Sequence, residues 1–101
     1  MIHKLHFGSD SVRKRLLDFL DDCDDDLYAA IHKAFEEIKK NPRNEEVVKI
    51  KPPLKVFNGL ANYRYKGKIK EKGFRIFFDI DDKNKTVILF AIRDRNEGTY
   101  K

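Results

Sequence analysis

The spacing of apolar residues predicts two neighbouring helices in the first 40 residues. Apolar positions within residues 10–21 fall on one face at helical spacing, and serine and aspartate at positions 9–11 offer N-cap side chains. A second apolar stripe covers residues 27–40 and stops at Asn41-Pro42, because the residue before a proline avoids the helical region. A short acidic turn joins the two segments, so we predict a helical hairpin.

Strand patterns stand on both sides of this hairpin. Short strands are predicted over residues 2–7 and around 47–50, after which Pro52-Pro53 should prevent regular pairing. Three strands in succession are then predicted over residues 61–70, 74–80 and 86–95. The last is apolar on both faces from Val87 to Ile92, which is typical of a strand inside a sheet.

Length and composition favour one domain spanning residues 1–101, with 41% hydrophobic residues available for a core. The N-terminus lacks the apolar run of a signal peptide, and no segment is long enough to cross a bilayer. Cys23 is the only cysteine, so no internal disulfide can form. These features favour a protein of the reducing cytoplasm, without a membrane partner.

The net charge of +5 is unevenly distributed along the chain. Residues 1–41 carry a net charge of −2, whereas residues 42–101 carry +7. A polyanionic partner would therefore meet the C-terminal half. The alternative is that lysines simply decorate every surface.

The acidic turn, Asp21 to Asp26, resembles a metal loop at first sight. A calcium loop counted from Asp21 requires glycine and glutamate at positions where this chain has Asp26 and His32. Carboxylates are also favourable at a helix N-terminus, where the second helix begins. We therefore interpret the cluster as helix capping and predict no metal site.

A basic stripe follows the first of the three successive strands. Side chains alternate across a strand, so one face carries every second residue until the turn begins: Arg64, Lys66, Lys68, Lys70 and Lys72. One interpretation is a docking surface for a polyanion. The other is a solvated edge strand, protected from aggregation by its lysines.

Arg75 interrupts the apolar strand over residues 74–80, where burial of an unpartnered charge is costly. It could pair with Asp79 or Asp94. Alternatively, Arg64, Arg75 and Arg93 converge on a phosphate-binding concavity.

Three stretches together resemble the RelE/ParE superfamily of toxins from toxin–antitoxin systems: "LKVFNGLANYRYKG", "KGFRIFFDID" and "TVILFAIRDRNEGTY". The matching positions are Leu54-Lys55, Gly59, Arg64, Gly73-Phe74-Arg75-Ile76, Val87 to Ile92, Arg93 and Tyr100. The resemblance implies an α+β fold of the microbial RNase type. In that fold an N-terminal helical hairpin packs on a curved, mainly antiparallel sheet of four to five strands.

The RelE-like branch of this superfamily cleaves mRNA in the ribosomal A site without a metal or other cofactor. The resemblance therefore implies an endoribonuclease, with ribosome, mRNA and a cognate antitoxin as partners and a monomeric free toxin. Arg75 and Arg93 would hold the phosphate, and Tyr100 would stack on or activate the nucleotide, with Lys51 or Lys55 as a proton-handling cation. Arg64 and the lysines at 66, 68, 70 and 72 would meet ribosomal RNA.

Two spacings leave residue assignments open. The connection between Arg64 and Arg75 is long, as in HigB-like members, and one extra residue separates Arg93 from Tyr100. Arg95 therefore competes with Arg93 for the same role. Two other functions also remain: a ParE-like inhibitor of DNA gyrase, and a non-catalytic RNA- or ribosome-binding module.

Overall fold

The computed structural model describes residues 2–56, 59–69 and 72–95. Its elements, in chain order, are β1 (Lys4–Phe7), α1 (Asp10–Asp22), α2 (Asp25–Lys40), β2 (Val47–Val56), β3 (Gly59–Ile69), β4 (Lys72–Asp81) and β5 (Thr86–Arg95). The predicted α+β fold is confirmed, since a helical hairpin packs on a five-stranded, mostly antiparallel sheet. No helix in the described ranges is long and apolar enough to cross a membrane.

Side chains that precede the first turn cap both helices. The Ser9 hydroxyl accepts a hydrogen bond from the Val12 N–H at 3.1 Å, and the Asp24 carboxylate accepts one from the Leu27 N–H at 2.8 Å. Asp25 and Asp26 lie in the first turn of α2, where negative charge is favourable. The interpretation of the acidic turn as helix capping is confirmed for Asp24 to Asp26, whereas Asp21 and Asp22 are the last two residues of α1.

The sheet has the strand order β1-β5-β4-β3-β2, with β1 parallel to β5 and the other pairs antiparallel. β5 lies between β1 and β4, as its two apolar faces predicted. Regular pairing is interrupted at Pro52-Pro53, as predicted, but it resumes with β3 at Leu54, which was not predicted. β2 continues to Val56, with an irregularity between Lys49 and Leu54, because an edge strand tolerates proline where no ladder hydrogen bond is needed.

The sheet is buried on both faces over part of its area. The larger cluster lies under the helices and includes Ile31 and Ile38 of α2, packed against Ile76 and Phe78 of β4. A smaller cluster on the opposite face, which we call the open face, is centred on Val56, Ala61 and Phe77. Burial from both sides explains why β4 is apolar at nearly every position from 74 to 78.

A hydrogen bond between side chains ties α2 to β3. The Tyr65 hydroxyl donates to the Glu37 Oε1 at 2.6 Å, and Tyr65 is 7% exposed. Burial, followed by this hydrogen bond, raises the pKa of the Tyr65 phenol well above its usual value. This hydrogen bond holds the side of β3 that carries Tyr65 against α2. The residues at alternate positions of β3 therefore point to the open face.

Candidate functional site

Three cations form a row across the open face. In the strand register Lys66 of β3 lies opposite Arg75 of β4, and Arg75 lies opposite Arg93 of β5. Directly opposite residues in antiparallel strands share a face, with Cα atoms about 4.5–5.5 Å apart. Neighbouring residues in the chain, such as Ile76 next to Arg75, belong to the cluster under the helices. The side chains of the row therefore point away from the helices.

Arg64 extends this row by one position. It lies opposite Phe77 of β4, which in turn lies opposite Ala91 of β5. Arg64 is half-buried, and its Nε is buried with no hydrogen-bond partner among the described residues. The Arg93 guanidinium carbon stands 5.2 Å from the centroid of the Phe77 ring, so that ring forms an apolar floor between the cations.

Arg75 occupies the centre of the row and is 7% exposed. Its Nη1 donates to the Phe74 carbonyl oxygen at 3.4 Å. Asp94 lies opposite Phe74 and therefore points to the helix-facing side. Asp79 lies four residues along β4, and its Oδ1 accepts from the Ile80 N–H at 2.8 Å. The cross-strand neighbours of Arg75 are thus cations, and neither candidate carboxylate lies beside it in the register.

Two further basic residues lie at the end of the row towards the β3–β4 turn. Lys68 is exposed and lies opposite Gly73, and Gly73 lies opposite Arg95. We call Arg64, Lys66, Lys68, Arg75 and Arg93 the basic face. Three adjacent strands contribute to it, and β3 supplies its lysines at alternate positions, as the basic stripe predicted.

Among the remaining predicted site residues, neither Lys51 nor Lys55 of β2 is paired in the strand register with a residue of the basic face. Lys55 lies opposite Leu60, and its neighbours Leu54 and Val56 contact the open-face cluster, so Lys55 points to the other side of β2. Lys51 is exposed within the irregular part of β2. Lys72 is the first residue of β4, opposite Ile69. Lys70 and Tyr100 lie outside the described residues.

Two aromatic residues near the basic face were not predicted to have a role. Alternation already put Phe77 on the face of Arg75, so its contact with Arg93 could have been inferred from the strand pattern. Phe90 gave no such signal. It is the extra residue of a register shift, because Phe77 lies opposite Ala91 while Phe78 lies opposite Leu89.

The row is suited to binding an anion with several oxygens, such as a phosphate. Guanidinium groups form paired, charge-assisted hydrogen bonds with phosphate oxygens, and cations on adjacent strands can contact one group together. Among the described residues, no three His, Cys, Asp or Glu side chains are grouped as a metal site would require.

Known proteins share features with this chain. A family model described as the ParE toxin of the type II toxin–antitoxin system parDE matches residues 9–98. No curated protein matches the chain.

Two solved structures have a similar fold. A free form of the E. coli toxin RelE, with two arginines replaced by alanine, is 18% identical with a TM-score of 0.62, over 98% of this chain and 88% of that one. A chain of the toxin–antitoxin complex RelBE2 from Mycobacterium tuberculosis is 18% identical with a TM-score of 0.58, over 94% of this chain and 100% of that one. The chain therefore belongs to the RelE/ParE superfamily, the toxins of type II toxin–antitoxin systems.

Proposed function

We propose that this toxin is a ribosome-dependent mRNA endonuclease that works without a metal ion. The observation that carries the proposal is the row of Lys66, Arg75 and Arg93 on adjacent strands, with Arg64 beside it. A phosphate bound there would meet at least two guanidinium groups, one of them on a largely buried side chain. Fixed cations stabilise the negative charge that develops on a phosphate during cleavage.

The reaction that fits such a site is attack by the ribose 2′-oxygen on its own phosphate. The 2′-oxygen gives its proton to a base and bonds to phosphorus, while the bond from phosphorus to the 5′-oxygen breaks and that oxygen takes a proton from an acid. The products are a 2′,3′-cyclic phosphate and a 5′-hydroxyl, so neither water nor a redox partner is consumed. Arg75 and Arg93 would stabilise the phosphorane between these two steps.

Proton transfer is proposed to involve Tyr100 and a lysine. The two candidate lysines are Lys51 and Lys55, which are both exposed residues of β2. Tyrosine and lysine at their usual pKa are poor bases near neutrality. Orientation on the ribosome would therefore be needed for activity, with Lys66 and Lys68 contacting RNA phosphates without regard to sequence.

An antitoxin is the second proposed partner. The RelBE2 complex joins a toxin of this fold to its antitoxin. For this chain, an acidic segment laid over the basic face would neutralise its charge and exclude RNA. We propose that the toxin meets the antitoxin and the ribosome in the cytoplasm, where translating ribosomes are found.

Mapping of transcript 5′ ends in a translating extract tests the proposal. The wild-type protein should produce new 5′ ends within translated codons only while ribosomes translate, and Arg75→Ala, Arg93→Ala and Tyr100→Phe should each reduce them strongly. Lys14→Ala, which removes an exposed charge on α1, is the matched control and should cleave like wild type. Intact transcripts in an extract whose translation the wild type has stopped would contradict the proposal.

A second candidate is a DNA gyrase inhibitor, because the matching family model is that of the ParE toxins. Under this alternative the basic face would bind gyrase or its DNA, and Tyr100 would have no role. Purified gyrase should then lose supercoiling activity with the wild-type protein and retain it with Arg93→Ala. The same protein should leave translated transcripts uncut.

A further inference from the structure

A cleft separates α1 from the edge of β5. It has a volume of about 160 Å³, and its walls include Arg15 and Phe19 of α1 and Phe90, Ala91 and Arg93 of β5. The rings of Phe19 and Phe90 are both half-buried, and Arg93 is exposed. The residues that line the cleft are therefore mainly apolar, with an arginine on each side.

The cleft exists because β1 is much shorter than β5. β1 pairs only with residues 86–89 of β5, and the Gly8 N–H then donates to the Leu89 carbonyl oxygen at 2.9 Å. Beyond Leu89, no strand in the described part of the chain lies beside this edge of β5. Phe90, the extra residue of the register shift, stands at the point where β1 ends and the cleft begins.

Arg93 connects the cleft to the basic face. Its guanidinium carbon stands 5.2 Å from the Phe77 ring centroid on the open face, and Arg93 is also one of the residues that line the cleft. A ligand held by the row of Lys66, Arg75 and Arg93 could therefore extend into the cleft and remain close to positively charged residues. Of the parts of a nucleotide, phosphate, ribose and base, the base is the one that an apolar space beside the row would accept.

We propose that this cleft binds one base of the RNA strand, adjacent to the phosphate held by the basic face. The inference rests on the proposed RNA-binding function and adds a second subsite to it. A cavity of about 150 Å³ lined by apolar side chains can hold a benzene molecule, so the space suits one planar ring system. Proteins that bind single-stranded RNA stack bases on aromatic rings and on guanidinium planes, and the cleft offers both.

Stacking of this kind tolerates any base, because every base has a π face. The cleft would therefore position the strand without selecting its sequence. Loss of one stacked base costs about 1–3 kcal/mol, which corresponds to an affinity about 5- to 150-fold lower. An acidic extended segment of a partner protein is the competing occupant, since Arg93 would attract it as well.

The test uses the full-length protein and two 2′-O-methyl tetranucleotides, which cannot be cleaved because the attacking hydroxyl is blocked. One has four bases, and the other has an abasic residue at its second position. Affinities are measured at one salt concentration, and backbone amide NMR shifts report which residues respond. We expect the wild type to bind the intact oligonucleotide at least 5-fold more tightly, with shifts at residues 15–19 and 90–93 only when the base is present.

Phe19→Leu removes the ring but keeps the position apolar, and it should bring the ratio of the two affinities close to one. Phe35→Leu makes the same change in another half-buried phenylalanine that also packs against the main cluster, and it should keep the wild-type ratio. Equal affinities in the wild type, or an unchanged ratio in Phe19→Leu, would overturn the inference. So would cleft shifts with an acidic peptide and none with the intact oligonucleotide.

Arg75→Ala separates this inference from the proposed function. It should weaken binding of both oligonucleotides by the same factor and leave their ratio unchanged. If Arg75→Ala leaves both affinities unchanged while Phe19→Leu brings their ratio to one, the cleft binds a base and the proposed phosphate site is wrong. If Arg75→Ala weakens binding of both oligonucleotides and Phe19→Leu leaves the ratio of affinities unchanged, the phosphate site is supported and the cleft does not bind the base.

Discussion

Arg75 and Arg93 lie directly opposite each other on β4 and β5, with Lys66 opposite Arg75 on its other side. Like charges at directly opposite positions of a sheet repel each other. A phosphate that contacts the cations of this row would reduce their repulsion through charge-assisted hydrogen bonds.

Replacement of Arg93 by alanine should reduce activity far more than stability. The change removes a contact with Phe77 worth about 0.5–1 kcal/mol and relieves repulsion worth about 0.2–1 kcal/mol, so the two effects nearly cancel. We expect the free energy of unfolding in urea to stay within about 0.5 kcal/mol of wild type. Cleavage should fall about 100-fold or more, as for other groups that stabilise transition-state charge. Destabilisation by more than about 2 kcal/mol would mean that Arg93 has a structural role.

Salt dependence should separate the lysines of the basic face from other surface lysines. Each contact with a single-stranded RNA phosphate contributes about −0.7 to the slope of log affinity against log salt concentration. Lys66→Ala and Lys68→Ala should each make the slope shallower by about this amount, whatever the RNA sequence. Lys14→Ala should leave it unchanged. An unchanged slope in all three variants would remove the lysines of β3 from the RNA interface.

The Tyr65–Glu37 hydrogen bond should make the protein sensitive to alkaline pH. Because the pKa of Tyr65 is raised in the folded protein, first by burial and then by Glu37, its contribution to stability is complete below the unfolded value of about 10 and is lost as the pH rises above it. Tyr65→Phe should lower the free energy of unfolding near neutral pH by about 1.5 kcal/mol.

Urea unfolding between about pH 8 and 11 measures both effects. The alkaline loss of stability should be smaller in Tyr65→Phe than in wild type. Tyr63→Phe is the matched control, since the Tyr63 hydroxyl accepts from Arg43 at the surface, and it should keep the wild-type pH dependence. Parallel pH profiles for wild type and Tyr65→Phe would show that other groups cause the alkaline transition.

Gly67 should be intolerant of any side chain. It lies opposite Phe74, and a Cβ at this position would stand 2.0 Å from the Cζ atom of that buried ring. Gly67→Ala should therefore destabilise the protein by about 1–3 kcal/mol through overpacking. Phe74→Leu in the same chain frees space for the new methyl group, so the double variant should be more stable than the sum of the single effects predicts. Strict additivity in urea unfolding would contradict this contact.

The parts of the fold that were predictable from sequence are those set by local patterns. Helix caps at Ser9 and Asp24, the proline after α2 and the apolar run of β5 each depend on neighbouring residues alone. Alternation also predicted that Arg75 and Phe77 share a face. The set of guanidinium groups could be proposed for the same reason, once the three strands were known to be adjacent.

The parts that were missed depend on distant contacts. Pairing of β2 beyond the prolines requires Ala61 and Gly59 on β3, and no local pattern indicates that Leu54 rejoins the ladder there. The ring of Phe90 stands so close to Gly8 and Gly59 that a Cβ would lie 2.6 Å and 2.4 Å from it, respectively. That packing joins the ends of two strands far apart in sequence, so it could not be inferred before the sheet order was known.

Contact of Arg75 and Arg93 with the same phosphate is the central claim, and a double-mutant cycle on cleavage rate tests it most directly. Single-turnover cleavage of a ribosome-bound message is measured for the wild type, Arg75→Ala, Arg93→Ala and the double variant. If both guanidinium groups stabilise one transition state as a unit, we predict that the double variant is about as slow as the slower single variant. Rate losses that multiply would show that the two arginines act on separate groups and would contradict a shared phosphate site.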